Sequence, residues 1–175
     1  MKVAITGHTK GIGKALADLY PDHMGFSRSN GYDISNRLQR AILIDEASDC
    51  DVFINNAWQD DFQTQMFKDV LEFWGQDESK TIVNINSRTK YFTGTDNYYY
   101  NTKVELADET TKILFDRKCR IININPGFVF TDFAKPMIEK YKAPYMTTQQ
   151  IAEYVKWAID QPFEIWELSV WKYEP

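Results

Sequence analysis

Cysteine and histidine are scarce in this chain, two of each in 175 residues, and that scarcity excludes much chemistry. Cys50 and Cys119 stand isolated, so neither a disulfide framework nor a zinc-ligand spacing can be read from them. They are expected as buried thiols. His8 and His23 have no ligand cluster around them, and no metal site is expected. No apolar run approaches the ~20 residues a membrane-spanning helix needs. No signal-peptide pattern opens the chain, because Met1-Lys2-Val3-Ala4-Ile5-Thr6 begins a strand at once. The net charge of −5, with both signs interspersed, offers no basic surface for nucleic acid. Repeats, low-complexity tracts and linkers are also missing. What these absences leave is a soluble chain, expected in the cytoplasm, with no membrane or nucleic-acid partner.

An apolar content of 43% is enough for one globular domain burying roughly 70% of its unfolded surface, so 1–175 reads as a single domain. Short apolar runs alternate with helical patterns, which predicts an α/β fold around a parallel sheet. Strands are expected at 3–6, 24–27, 51–55, 81–86, 120–125 and 165–171. Helices are expected near 11–20, 36–47, 61–74, 98–116 and 148–160. Pro21 ends the first helix, since it cannot donate the next hydrogen bond. Ser35 is the expected N-cap of the second, with Leu38, Ala41 and Ile42 at helical spacing. Thr147 or Thr148 caps the last, with Ile151, Val155, Ala158 and Ile159 facing inward.

Thr6-Gly7-His8-Thr9-Lys10-Gly11-Ile12-Gly13 lies between the first strand and the first helix. Glycines there let the backbone approach a pyrophosphate, and the helix behind presents unpaired N–H groups and a positive dipole end. The strand–turn–helix setting points to a dinucleotide. Tyr99 and Lys103 stand four apart, on one face of the expected helix. An ammonium beside a phenol favours the phenolate, which creates a general acid/base usable near neutral pH. Tyr98 and Tyr100 are out of register with the lysine. Ser87 at the end of the fourth strand supplies a third polar group.

Together these motifs resemble the short-chain dehydrogenase/reductase family from end to end. Thr6–Gly13 resembles its T-G-x-x-x-G-I-G, Asn55-Asn56-Ala57 its N-N-A-G, Ser87 its catalytic serine and Tyr99/Lys103 its Y-x-x-x-K. Pro126-Gly127-Phe128-Val129-Phe130-Thr131 resembles its P-G-x-V-x-T segment. The resemblance implies a Rossmann-like doubly wound parallel sheet and NADP(H)-dependent interconversion of a small carbonyl compound and its alcohol. Tyr99 would be the acid/base and Ser87 the partner on the substrate oxygen. Lys103 would hold the nicotinamide ribose and lower the Tyr99 pKa. Gly7, Thr9, Lys10, Gly11, Ile12 and Gly13 would cradle the pyrophosphate, with Asn55, Asn56 and Ala57 beside them. Val129 and Thr131 would meet the carboxamide, and Pro126-Gly127 would turn beneath the ring. Asp33-Ile34 would hold the adenine. Lys10 and Arg28, with Ser27 and Ser29, fall where a 2′-phosphate would lie, and no acid follows the second strand, so NADP(H) is expected over NAD(H). A homodimer or homotetramer is implied, through 61–74 and 98–116 and the last strand, where Trp166, Trp171 and Tyr173 cluster.

The chain also departs from that family. Only four residues separate Arg28 from Asp33, fewer than the ~10–12 of a βαβ crossover. One helix and one strand should therefore be missing, leaving six strands ordered 2-1-4-5-6-7 in the family's labels. Trp58 replaces the glycine of N-N-A-G, either covering the site or filling vacated space. The family's catalytic asparagine has no equivalent by motif, although Asp60, Asp61 and Gln63 are nearby. The stretch 132–146 should form a mobile substrate loop carrying Phe133, Met137, Tyr141 and Tyr145. Alternative expectations are a non-catalytic NADP(H)-binding sensor or scaffold, and a nucleotide-sugar enzyme, for which that stretch leaves little room.

Overall fold

The structure is a computed structural model and describes residues 1–91 and 97–173. Six strands form one parallel sheet: β1 (Val3–Thr6), β2 (Met24–Phe26), β3 (Val52–Asn55), β4 (Thr81–Ile85), β5 (Arg120–Pro126) and β6 (Glu167–Val170). Their order is β2-β1-β3-β4-β5-β6, every pair parallel. This is the order expected with one strand removed, and β2 becomes an edge. Where β2 ends, residues 28–30 make a single 3₁₀ turn and Gly31 turns the chain at φ 94°. Nothing longer fits before α2 (Arg37–Glu46).

Both faces of the sheet are covered, as parallel strands require. One face buries Val3, Ile5, Val83, Ile85, Ile122 and Ile124 beneath α1 (Gly11–Leu19) and the C-terminal helix Thr148–Asp160. The other buries Ala4, Phe53, Ile82 and Ile121 beneath α2, α3 (Phe62–Trp74) and α4 (Tyr98–Lys112). Alternate residues of each strand divide between the two cores, each fully buried side chain contributing roughly 1.5–3 kcal/mol. Cys50 and Cys119 are both buried free thiols.

Three sequence expectations need correction. The cap of α2 is Asn36, whose side chain accepts from the Leu38 and Gln39 amides; Ser35 instead binds the Asp33 carboxylate. The inner face of α2 is Arg40, Leu43 and Ile44, while Leu38 is 70% exposed. Arg40 sits inward because its guanidinium donates to Asp69 at 2.6 Å and to the Ile34 carbonyl at 2.7 Å. Finally, the stretch 132–146 contains a helix, α5 (Lys135–Tyr141), with proline in its first turn and Lys142 at φ 47° ending it. Proline suits a first turn because its missing N–H would have no partner there. The C-terminal helix is thus α6, and its Thr147–Gln150 capping box bears out the threonine expected there. No helix among the described residues is long and apolar enough to cross a membrane.

Candidate active site

The glycine turn sits at the carboxyl end of β1, beside β3, where the strand order reverses and open α/β sheets bind ligands. Gly7 adopts φ 67° and Gly11 φ 55°, conformations that strain other residues. A Cβ on Gly13 would lie 2.1 Å from the Gly7 carbonyl oxygen, so only glycine lets α1 approach the turn. Lys10 caps α1 without any side-chain hydrogen bond, which leaves the first-turn amides of α1 free of a side-chain acceptor. Asn56 braces the turn: its Nδ2 donates to the Thr6 carbonyl at 3.0 Å, and Thr6 Oγ1 accepts from the Asn56 and Ala57 amides. Asn55 is fully buried, with its amide donating to Gln63 O and Asn84 Oδ1. Thr9 and Lys10 are exposed on the turn, and Ile12 packs on the core below it.

The residues after β2 form a second polar patch. Ser27 and Asn30 make a reciprocal capping box, and Ser27 Oγ lies 2.8 Å from Ser29 Oγ. Arg28 is exposed and contributes to holding Asp33 below the ordinary carboxylate range, behind the larger effect of the Ser35 backbone and hydroxyl bonds. Ile34 is buried in the core.

After β5, Gly127 donates to the Val170 carbonyl at 2.8 Å, and Pro126 ends the strand. Val129 pairs with Met146 in an isolated bridge, carrying Thr131 back toward the glycine turn. A Cβ on Gly11 would come within 3.3 Å of Thr131 Cγ2. An open cleft of about 320 Å³ here is lined by Gly11, Lys14, Phe130, Thr131 and Thr148 among others.

Ser87 follows β4, and α4 brings Tyr99 and Lys103 to it. Asn97 starts that helix, accepting from the Tyr100 amide at 2.8 Å. Burial pushes the Tyr99 phenol above its ordinary value, while the adjacent Ser87 hydroxyl pulls it the other way. Lys103 is 3% exposed, and burial pulls its ammonium down to about 7. Its Nζ stands 5.5 Å from the Tyr99 ring centre and donates to Gln63 Oε1 at 2.6 Å and the Ile85 carbonyl at 3.1 Å. The expectation that Lys103 lowers the Tyr99 pKa is therefore not met in this arrangement. Desolvation dominates the phenol, and the lysine is aimed at Gln63.

Trp58 takes the covering role. Its Nε1–H donates to Thr102 Oγ1 at 3.1 Å, and its ring meets Tyr99 edge-on at 5.1 Å. Phe133 lies 5.3 Å from both rings. Of the three aromatics and one methionine expected over the site, Phe133 reaches the tyrosine. Tyr145 packs on Phe130 instead, while Met137 and Tyr141 are exposed. Beneath the site runs an unforeseen ladder of buried amides. Asn55 donates to Asn84, Asn84 to Asn123, and Asn123 to the Trp166 carbonyl. The repeated Asn-Ile-Asn of β4 and β5, at 84–86 and 123–125, is the sequence signal for it.

No family model and no curated protein matches this sequence. Solved structures do. A serine dehydrogenase complexed with NADP+ has a TM-score of 0.80 at 18% identity, over 97% of this chain and 94% of that one. A 3-alpha-hydroxysteroid dehydrogenase from Pseudomonas sp. B-0831, complexed with NADH, gives 0.78 at 15%, over 98% and 95%. A short chain dehydrogenase from Burkholderia cenocepacia J2315 in complex with NADP gives 0.75 at 14%, over 96% and 95%. At these identities the likeness is one of fold, and the fold is that of short-chain dehydrogenase/reductase proteins.

Proposed function

We propose that this chain is an NADP(H)-dependent oxidoreductase that interconverts a small carbonyl compound and its alcohol, acting as one domain in the cytoplasm and as a homodimer or homotetramer. The observation that carries this is the convergence of Ser87, Tyr99 and Lys103 beside a glycine turn built to admit a pyrophosphate. The chain's residues fit the dinucleotide: Gly13, with no Cβ to strike the Gly7 carbonyl, lets α1 start close against the glycine turn, and the Lys10 cap places no side-chain acceptor on the first amides of α1. Gly7, Thr9, Gly11 and Ile12 would offer backbone to the phosphates. Asn56 and Ala57 would hold that turn in shape, with Asn55 beneath. Arg28, Ser27, Ser29 and Lys10 would take a 2′-phosphate, and Asp33 and Ile34 would flank the adenine. Pro126, Gly127, Val129 and Thr131 would line the nicotinamide side.

The bound cofactor supplies or accepts the hydride. Tyr99 gives its phenolic proton to the substrate oxygen in reduction and removes it in oxidation. Ser87 donates a hydrogen bond to the same oxygen and stabilises its developing charge. Lys103 would hold ribose hydroxyls of the bound cofactor.

The test is NADPH oxidation against a broad panel of aldehydes and ketones, in wild type and Tyr99→Phe. Turnover is expected in wild type and should fall by at least ~100-fold in the variant, with NADPH affinity kept. A second reading, an NADP(H)-binding sensor, draws support from the packing of Trp58 and Phe133 over Tyr99. Tight NADPH binding without turnover of any carbonyl would favour it and refute the first.

A further inference from the structure

Gln63 has no place in the roles above, yet its side chain is 2% exposed and makes three hydrogen bonds. We propose that Gln63 is the positioning residue for Lys103, a side-chain carbonyl locked in orientation that fixes where the ammonium stands. The inference rests on the reading of Lys103 given above.

The lock follows from donor arithmetic. Gln63 Nε2 lies 2.9 Å from the Asn55 carbonyl oxygen and 2.9 Å from that of Ile85. Two carbonyls need two donors, and an amide NH₂ has two, so the opposite orientation of the side chain would set three oxygens against one another. Oε1 is thereby turned to Lys103 Nζ, at 2.6 Å. Ile85 serves both partners, since its carbonyl also accepts from Nζ at 3.1 Å. The backbone of Gln63 is held in turn by Asn55 Nδ2, the first rung of the amide ladder. A left-handed turn at Asp60 brings α3 in so that its second residue points under β4. Two adjacent strands and the helix between them in the chain, β3, α3 and β4, thus define one point for a lysine carried by a fourth element, α4.

A neutral acceptor at that point has a consequence that a carboxylate would not. An amide carbonyl orients the ammonium without adding a full charge to offset its burial, so Lys103 stays easy to discharge. Among the described residues, Tyr99 is the titratable group facing it, and no charged side chain contributes to its shift.

The experiment follows the ¹³Cε resonance of Lys103 with pH in protein free of cofactor, assigned by its loss in Lys103→Met, alongside kcat for an accepted carbonyl. Gln63→Glu adds a charge beside the ammonium while setting one oxygen against the Asn55 and Ile85 carbonyls, and should raise the Lys103 midpoint by at least one pH unit, a ~tenfold change in proton affinity. Gln63→Leu removes the acceptor and should lower the midpoint and reduce kcat by ~10- to ~100-fold. Unchanged midpoints in both folded variants would overturn the proposal, as would a folded Gln63→Leu protein with wild-type kcat. Should the leucine variant not fold, the glutamate midpoint alone decides. A wild type with no turnover but a shifted Gln63→Glu midpoint would refute the reductase reading and leave this one standing.

Discussion

Replacing Gly13 with alanine separates two opposed effects whose sizes can be worked from the structure. Alanine in a helix is favoured over glycine by ~1 kcal/mol, so the substitution would stabilise α1 if the new methyl had room. It has none. The added Cβ would meet Gly7 O at 2.1 Å, Asn56 Nδ2 at 2.6 Å and Gly7 C at 2.8 Å. Two of those are backbone, and Asn56 Nδ2 is pinned to the Thr6 carbonyl, so α1 itself must withdraw by about 1 Å to restore ordinary contact. Overpacking of this kind costs ~1–3 kcal/mol or more, and it exceeds the propensity gain. The net loss of ~1–2 kcal/mol lowers Tm by ~2–8 °C for a chain of this size. The same withdrawal pulls the α1 amides from the phosphates, and NADPH affinity measured by fluorescence should weaken by at least ~tenfold, or ~1.4 kcal/mol. Gly31→Ala is the control. Its Cβ would meet nothing within 4 Å, though φ is 94°, so it should cost ~1–2 kcal/mol through backbone strain alone, without a clash. A Gly13→Ala protein that melts like wild type and binds NADPH equally well would refute the packing argument.

Arg28→Ala should weaken NADPH by ~10- to ~100-fold and NADH by far less, because a charge-assisted bond to phosphate is worth ~1.5–3 kcal/mol. Equal losses of both would remove Arg28 from the 2′-phosphate role. Lys103 gives a pH signature in stability. Its folded pKa is lowered, from 10.5 to about 7, so the burial penalty is absent above the unfolded value. That penalty grows as pH falls through the interval and is complete below the folded value. The stability of Lys103→Met relative to wild type should therefore increase as pH falls from about 10.5 to about 7 and level off below, in denaturant titrations of protein free of cofactor. A difference that stays flat across that window would mean the lysine is not desolvated as the structure has it.

Much of the frame was legible because its determinants are local. The glycine turn announces itself by spacing, and the loss of a strand and helix follows from counting residues between Arg28 and Asp33. Features set by partners distant in sequence were not. The inward face of α2 is decided by Asp69, 29 residues away from Arg40, so helical periodicity alone chose Leu38 and Ile42 wrongly. Helix α5 buries Ile138 alone, which leaves no apolar stripe to betray it, and Pro136 reads as a loop signal until it is seen in a first turn. Gln63 carries no motif. Its meaning comes from two backbone carbonyls and a lysine 40 positions on. Asn97 before the Tyr99 helix was a readable cap signal that the sequence reading passed over.

A parallel sheet that sheds an outer strand uncovers a new row of unpaired amides and carbonyls, and such rows recruit other chains. Here the newly outermost strand, β2, has just three residues, and the chain beyond it folds at once into a reciprocal Ser27–Asn30 box. Its first residue stands 40% exposed, but Asn30 Nδ2 takes the Gly25 carbonyl at 2.8 Å. That occupies an acceptor an incoming strand would need. The turn that would receive a cofactor's phosphate is thereby also the stopper on the sheet's open side. Substitutions at Asn30 should be read in aggregation assays as well as in binding ones.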